Sequence, residues 1–140
     1  MTDRPPLEAS AEAEALHDAA RAAMAQAHAP YSAFPVGAAV LCEQGRIFAG
    51  CNVENASFPE GWCAETSAIA HMVAAGARRI VAVAVVAERK PAITPCGGCR
   101  QRLAEFGDAD TRIHLCGPDG VIETLTLGAL LPRAFDGDAL

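Results

Sequence analysis

No run of about 18 apolar residues occurs anywhere in the chain, so a membrane-spanning helix is not expected. The acidic, alanine-rich N-terminus also lacks the basic region and cleavage site of a secretory signal, which makes a cytoplasmic protein the expectation. Internal repeats and low-complexity segments are absent. Positive charge is in deficit: 11 Lys and Arg stand against 17 Asp and Glu, a net charge of −6. A nucleic-acid polymer is therefore disfavoured as the main partner, because phosphate binding needs a cationic face. Small neutral ligands stay open.

What is present suits one globular domain. The 140 residues are 51% hydrophobic and 20% charged, long enough to bury one core and too short for an independent second one. Six cysteines could staple a secreted scaffold, but a chain without an export signal keeps its thiols reduced. Metal binding or catalysis is then the better use for clustered ones.

Residues 1–9 are polar and proline-bearing and read as a flexible arm, with Ser10 capping a helix through Glu12, Glu14, Leu16, Ala20 and Met24. APYSAFP (29–35) breaks that pattern. VGAAVLC (36–42) and RIFAGCNV (46–53) read as strands joined by a turn at Glu43-Gln44-Gly45. After the turn-rich ENASFPEG, the segment CAETSAIAHMVAAG has helical spacing and Gly76 to end it. IVAVAVVAE (80–88) is apolar without alternation, which marks a central strand covered on both faces. Thr94 and Pro95 look like the cap and first turn of a helix through Arg102, Leu103 and Phe106, closed by Gly107. IHLCG (113–117) is a further strand, Pro118-Asp119-Gly120 a turn, and VIETLTLGALLPRAF a strand or short helix. Strands alternating with helices imply α/β layers around one sheet.

Cys96 and Cys99 are three apart at a helix start, so both sulfurs can reach one ion. Taken alone, that spacing leaves a reduced pair or a redox dithiol open. Cys63 also stands at a helix start, where the positive dipole end favours a thiolate. Three thiolates would leave a tetrahedral zinc one position for water, the arrangement of catalytic sites. Glu65 is two residues from Cys63, roughly 200° away on a regular helix, and converges with it only if Cys63 lies in the first turn. Ordinary readings compete at each position. Glu65 could be a solvated helix charge, Asn52 and Glu54 turn formers, Phe34 and Phe135 packing groups. Cys42, Cys51 and Cys116 read as inert strand residues, and His17, His28, His71 and His114 fall outside the metal pattern. Arg78, Arg79 and Lys90 read as solvated charges.

Cys63-Ala64-Glu65 and Pro95-Cys96-Gly97-Gly98-Cys99 match the zinc-deaminase pattern, in which the glutamate is not a metal ligand. Together with Phe34-Pro35-Val36-Gly37-Ala38-Ala39, Asn52-Val53-Glu54-Asn55-Ala56 and Arg100-Gln101, they resemble the small homotetrameric zinc-dependent cytidine deaminases over residues 10–136, with 137–140 as a tail. The resemblance implies a single-domain three-layer α/β fold, with a five-stranded mixed sheet and helices on both faces. It implies one Zn2+ per chain on Cys63, Cys96 and Cys99, with Glu65 as proton shuttle. Asn52 and Glu54 would bind the ribose 3′-hydroxyl, Phe34 would line the base pocket, and the Ala56 backbone would help hold the base. Phe135 would be supplied to a neighbouring subunit's site in a homotetramer with shared active sites. The implied reaction is hydrolytic deamination of cytidine and 2′-deoxycytidine, with free cytosine a poor substrate. Alternatives are a deaminase of another cytosine nucleoside, of the blasticidin S type, and a non-catalytic zinc-stabilised binding module. LLPRAF argues against the first and the lack of a fourth ligand at matching spacing against the second.

One departure stands out at Thr66, where the family pattern usually has arginine donating to the ligand sulfurs. Zinc with three thiolates keeps one excess negative charge, which should make a bound water harder to ionise. Compensation is expected either to be incomplete, in which case Thr66→Arg would move the acidic limb of kcat/KM to lower pH, or to come from another basic residue. Arg100 is a poor candidate, since the usual pattern has it in addition.

Overall fold

The computed structural model of the protein describes residues 7–140. Helix α1 covers Leu7–Met24 and is followed by strands β1 (Val36–Cys42) and β2 (Ile47–Cys51). They pair antiparallel around a turn in which Gly45 takes a φ of 84°, a conformation that costs glycine little. A 3-10 turn at Phe58–Glu60 leads to α2 (Ala64–Ala74), β3 (Ile80–Ala87), α3 (Gly97–Phe106), β4 (Arg112–Gly117), β5 (Gly120–Thr126) and the short α4 (Leu127–Leu130). The sheet order is β2-β1-β3-β4-β5. Only β3 and β4 run parallel, and α3 makes the crossover that such a pair requires.

Alternation within the strands divides the core into two layers. Ala39, Ala82, Ala84 and Val86 pack with Leu16 and Ala20 of α1 on one face. Ala38, Val40, Val83 and Val85 pack with Ala68 and Met72 of α2 and Leu103 of α3 on the other. Residues Ile80 and Ala82–Ala87 of β3 are buried, as the unbroken apolar run requires. Small residues let the layers close up. A Cβ on Gly37 would strike the α1 backbone at Ala20, and one on Gly50 the α2 backbone at Ala68. These approaches seat α2 on β2 and so fix its N-terminus.

Two helix starts differ from the sequence reading. Residues 1–6 of the expected arm lie outside the described residues, and α1 already includes Leu7, Glu8 and Ala9, so position 10 falls inside the helix and not at its start. Leu, Glu and Ala are strong helix formers, and they carry the helix past the capping signal. Likewise α3 begins at Gly97 with Cys96 as its N-cap, so Thr94 and Pro95 precede it in extended chain. A Thr-Pro pair imitates a cap and first turn, whereas a thiol at the true cap gives no such polar signal. Residues Gly137–Ala139 of the tail form a 3-10 turn.

Candidate metal centre and active site

Strand β1 starts beside the end of β3, with Val36 opposite Ala87, and the N-termini of α2 and α3 converge at this end of the sheet. Cys63 is the N-cap of α2 and Cys96 that of α3, both with extended backbone and neither spending its sulfur on a capping bond. Cys99 lies in the first turn of α3 and is fully buried. The three sulfurs lie within 4.8 Å of one another. A tetrahedral zinc with Zn–S bonds of about 2.3 Å needs sulfurs about 3.8 Å apart, so small side-chain rotations suffice. The donor set fits zinc, and its all-thiolate softness suits that metal better than a hard cation. The Cys63 and Cys99 sulfurs interact with each other. That contact lowers the Cys63 thiol below its ordinary value and raises Cys99 well above it.

Because Cys63 is a cap outside the regular helix, Glu65 can turn towards the same cavity. Only 4% of Glu65 is exposed, and burial raises its carboxyl above the ordinary value. Glu65, Cys63 and Cys96 line a pocket of about 170 Å³ together with Asn52, Val36 and Thr94. Ile93 and Val85 complete its wall. The sequence reading missed these wall residues, because an apolar side chain at a strand end or in a loop carries no motif.

Of the other candidates, Asn52 lines this pocket and the rest lie outside it. Asn52 spans the loop before β1: its Oδ1 accepts from Val36 N at 2.9 Å and its Nδ2 donates to Phe34 O at 2.9 Å. Glu54 accepts from the backbone of Tyr31 at 2.9 Å and of Ser32 at 3.1 Å, and also from the Ser32 hydroxyl. The Ser32 bonds hold its carboxyl below the ordinary range. These bonds secure a loop in which Ala33 takes a φ of 54°, a left-handed conformation costly for a residue with a Cβ. Glu54 also lines a wider cleft of about 380 Å³ with Tyr31 and Phe58. Phe34 is half-buried and Ala56 exposed, and neither lines either cavity. Phe135 is 61% exposed at a groove beside α3 and α4, with its carbonyl accepting from Gln101 Nε2 at 3.0 Å.

Arg100 is committed elsewhere, donating to the carbonyls of Pro95 and Leu130, each at 2.8 Å. Two other groups reach the metal cluster. Thr66 Oγ1 is 3.8 Å and Arg102 Nη1 3.9 Å from Cys99 Sγ. Cys42 and Cys116 are buried and Cys51 half-buried, all away from this site, and burial pushes the Cys116 thiol up to about 11. His17 and His114 are buried in hydrogen bonds to Gly117 O and to Glu12 and Thr124.

Three thiols converging on one point beside a buried carboxyl on a helix N-terminus define a zinc-dependent hydrolase. The model of the cytidine and deoxycytidylate deaminase zinc-binding region matches residues 10–115, and the chain belongs to this family. It is 43% identical over 129 residues to a cytidine deaminase of Sporosarcina psychrophila, covering 92% of this chain and 95% of that one. It is 42% identical over 118 residues to the Mycobacterium tuberculosis cytidine deaminase, covering 84% and 85%. The crystal structure of a Burkholderia pseudomallei cytidine deaminase superposes with a TM-score of 0.82 at 45% identity, over 87% of this chain and 98% of that one. Among the described residues no helix is long and apolar enough to cross a membrane.

Proposed function

We propose that this protein deaminates cytidine and 2′-deoxycytidine hydrolytically, giving uridine or 2′-deoxyuridine and ammonia. The observation that carries the reading is Glu65, buried in the lining of a small pocket that it shares with two of three converging cysteines. Zinc held by Cys63, Cys96 and Cys99 supplies Lewis acidity and an acidified water as nucleophile. Glu65 takes a proton from the attacking water and delivers it to N3 of the ring as the new bond forms at C4. It then takes the second proton, from the new C4 hydroxyl, and gives it to the amine as the C4 carbonyl forms and the C4–N bond breaks to release ammonia, so one carboxyl acts as base and acid in turn.

Asn52 and Glu54 are the proposed contacts to the ribose 3′-hydroxyl. Both already hold the loop before β1, so their orientation is set before substrate arrives. Each keeps spare capacity. An amide has two donors and two acceptor lone pairs, of which Asn52 uses one of each kind, and a carboxylate has roughly four acceptor positions, of which Glu54 uses three. Recognition of a 3′-hydroxyl does not discriminate ribose from 2′-deoxyribose, which supports both substrates. Phe34 and the backbone of Ala56 are proposed to hold the base. A cytoplasmic homotetramer, in which Phe135 enters a neighbour's site, completes the reading.

The test is incubation of purified protein with cytidine, 2′-deoxycytidine and free cytosine, following conversion of the cytosine chromophore to uracil. Conversion of both nucleosides and little of the free base is expected. Replacing Cys96 and Cys99 together by alanine should abolish zinc binding and turnover. Full zinc occupancy in that double variant would remove both residues from the ligand set.

A further inference from the structure

We infer that Arg102 is the charge partner of the metal-ligating sulfurs, a positioning residue that steadies the thiolate cluster through Cys99. The inference rests on the zinc reading of that cluster. Zinc at +2 with three thiolates carries one excess negative charge. The N-termini of α2 and α3, which bear the cysteines, offset part of it as partial charges. A whole positive charge must come from a side chain. Among the described residues, the only basic group with a hydrogen-bond contact to any of the three sulfurs is Arg102, whose Nη1 lies 3.9 Å from Cys99 Sγ. Arg100, closer in sequence, has its guanidinium tied to the Pro95 and Leu130 carbonyls.

The placement follows from helix geometry. Residues 99 and 102 are three apart on α3 and share a face, and helical side chains lean towards the N-terminus. Arg102 therefore reaches back over the first turn, where the sulfurs are. Gly98 leaves it the room, because a Cβ there would come within 3.2 Å of Nη1. Thr66 approaches the same sulfur from α2 at 3.8 Å, so Cys99 sits between a hydroxyl and a guanidinium. Thr66 can supply a hydrogen bond but no charge; Arg102 supplies both. Arg102 is solvent-exposed, so its field is partly screened and it leaves the fold little perturbed when replaced.

The experiment measures zinc affinity by competition with a chromophoric chelator in the wild type and in Arg102→Gln, Arg102→Lys and the double variant Thr66→Arg with Arg102→Gln. It adds the sulfur-to-metal charge-transfer band of each cobalt-substituted protein, with circular dichroism as a check on folding. Arg102→Gln should bind zinc roughly tenfold more weakly. Its cobalt charge-transfer band should move to lower energy, since a sulfur relieved of a charged donor gives up electron density more readily. Arg102→Lys should retain most of the affinity, and Thr66→Arg should restore it in the Arg102→Gln background by bringing a cation from the opposite side. An unchanged affinity and spectrum in Arg102→Gln would overturn the inference. So would equal losses in the Gln and Lys variants without rescue by Thr66→Arg, because the side chain would then act by shape rather than charge. A wild-type protein without tight zinc would be a different failure, overturning the metal reading and this inference with it.

Discussion

Glu65 is pulled in two directions by its position. As the second residue of α2 it sits at the positive end of a helix dipole, which favours the carboxylate, while burial favours the acid. Burial dominates, and the carboxyl titrates above its ordinary value. A group that must accept a proton and later return it works best when neither form is strongly preferred. Glu65→Gln keeps the size and burial of the side chain but cannot carry the proton. It should retain zinc and nucleoside binding while turnover falls by about 10²–10⁴ or more. Metal analysis and inhibitor titration alongside steady-state rates would check this, and near-normal turnover would remove Glu65 from the chemistry. The three thiols and this carboxyl were legible in the sequence because each belongs to a short motif whose spacing sets its geometry. Arg102 was not. Its contact with Cys99 depends on the side chain folding back across Gly98, and as a letter it is one more basic residue on an amphipathic helix.

The elements place these residues through contacts that no local pattern records. The hairpin of β1 and β2 and the buried β3 could be read directly, since a turn glycine and an unbroken apolar run each have one simple structural solution. The starts of α1 and α3 could not, because propensity carried one past its capping signal and a cysteine capped the other. Least legible is the tie between α1 and the sheet. Glu12 accepts from Arg112 Nε at 2.9 Å and Nη2 at 2.6 Å and bonds His114 Nε2 at 3.1 Å, across about a hundred residues. Burial alone would raise the Glu12 carboxyl, but the hydrogen bonds and charges of Arg112 and His114 outweigh it and the net shift is downward. A carboxyl lowered on folding adds stability that is complete above its ordinary value of 4.5 and is lost as pH falls through the folded value. Glu12→Gln should therefore lose about 1–2 kcal/mol at neutral pH, a modest figure because the Arg112 side chain is 41% exposed. The deficit should shrink as pH falls below 4.5, since the wild type then protonates too. Urea unfolding at several pH values would show it, and a deficit independent of pH would mean that packing, not charge, holds α1 in place.

At the scale of the whole molecule, several large aromatic side chains stand exposed. Tyr31, Phe58 and Trp62 are 54%, 75% and 51% exposed, and Phe135 is 61% exposed. Tyr31 and Phe58 meet edge to face with centroids 5.9 Å apart and share the cleft lined by Glu54. Aromatic surface of this kind, rimmed by polar groups, is what protein–protein contacts are built from. Phe135 combines two properties that suit a delivered group. Its main chain is anchored to α3 through Gln101, while the residue stays largely exposed. The expected assembly is a closed homotetramer in which each site takes Phe135 from a neighbour. Phe135→Ala should then raise KM for cytidine without loss of zinc. The decisive experiment is complementation. Glu65→Gln and Phe135→Ala chains, coexpressed in equal amounts, should form mixed tetramers in which some sites draw Glu65 from one chain and Phe135 from the other. With random assembly about a quarter of the sites would be intact at both positions, and activity at low cytidine should exceed the sum of the separate variants. If each site is complete within one chain, no intact site can arise by mixing. Simple averaging of the two activities, or a sedimenting monomer that is fully active, would reject shared sites.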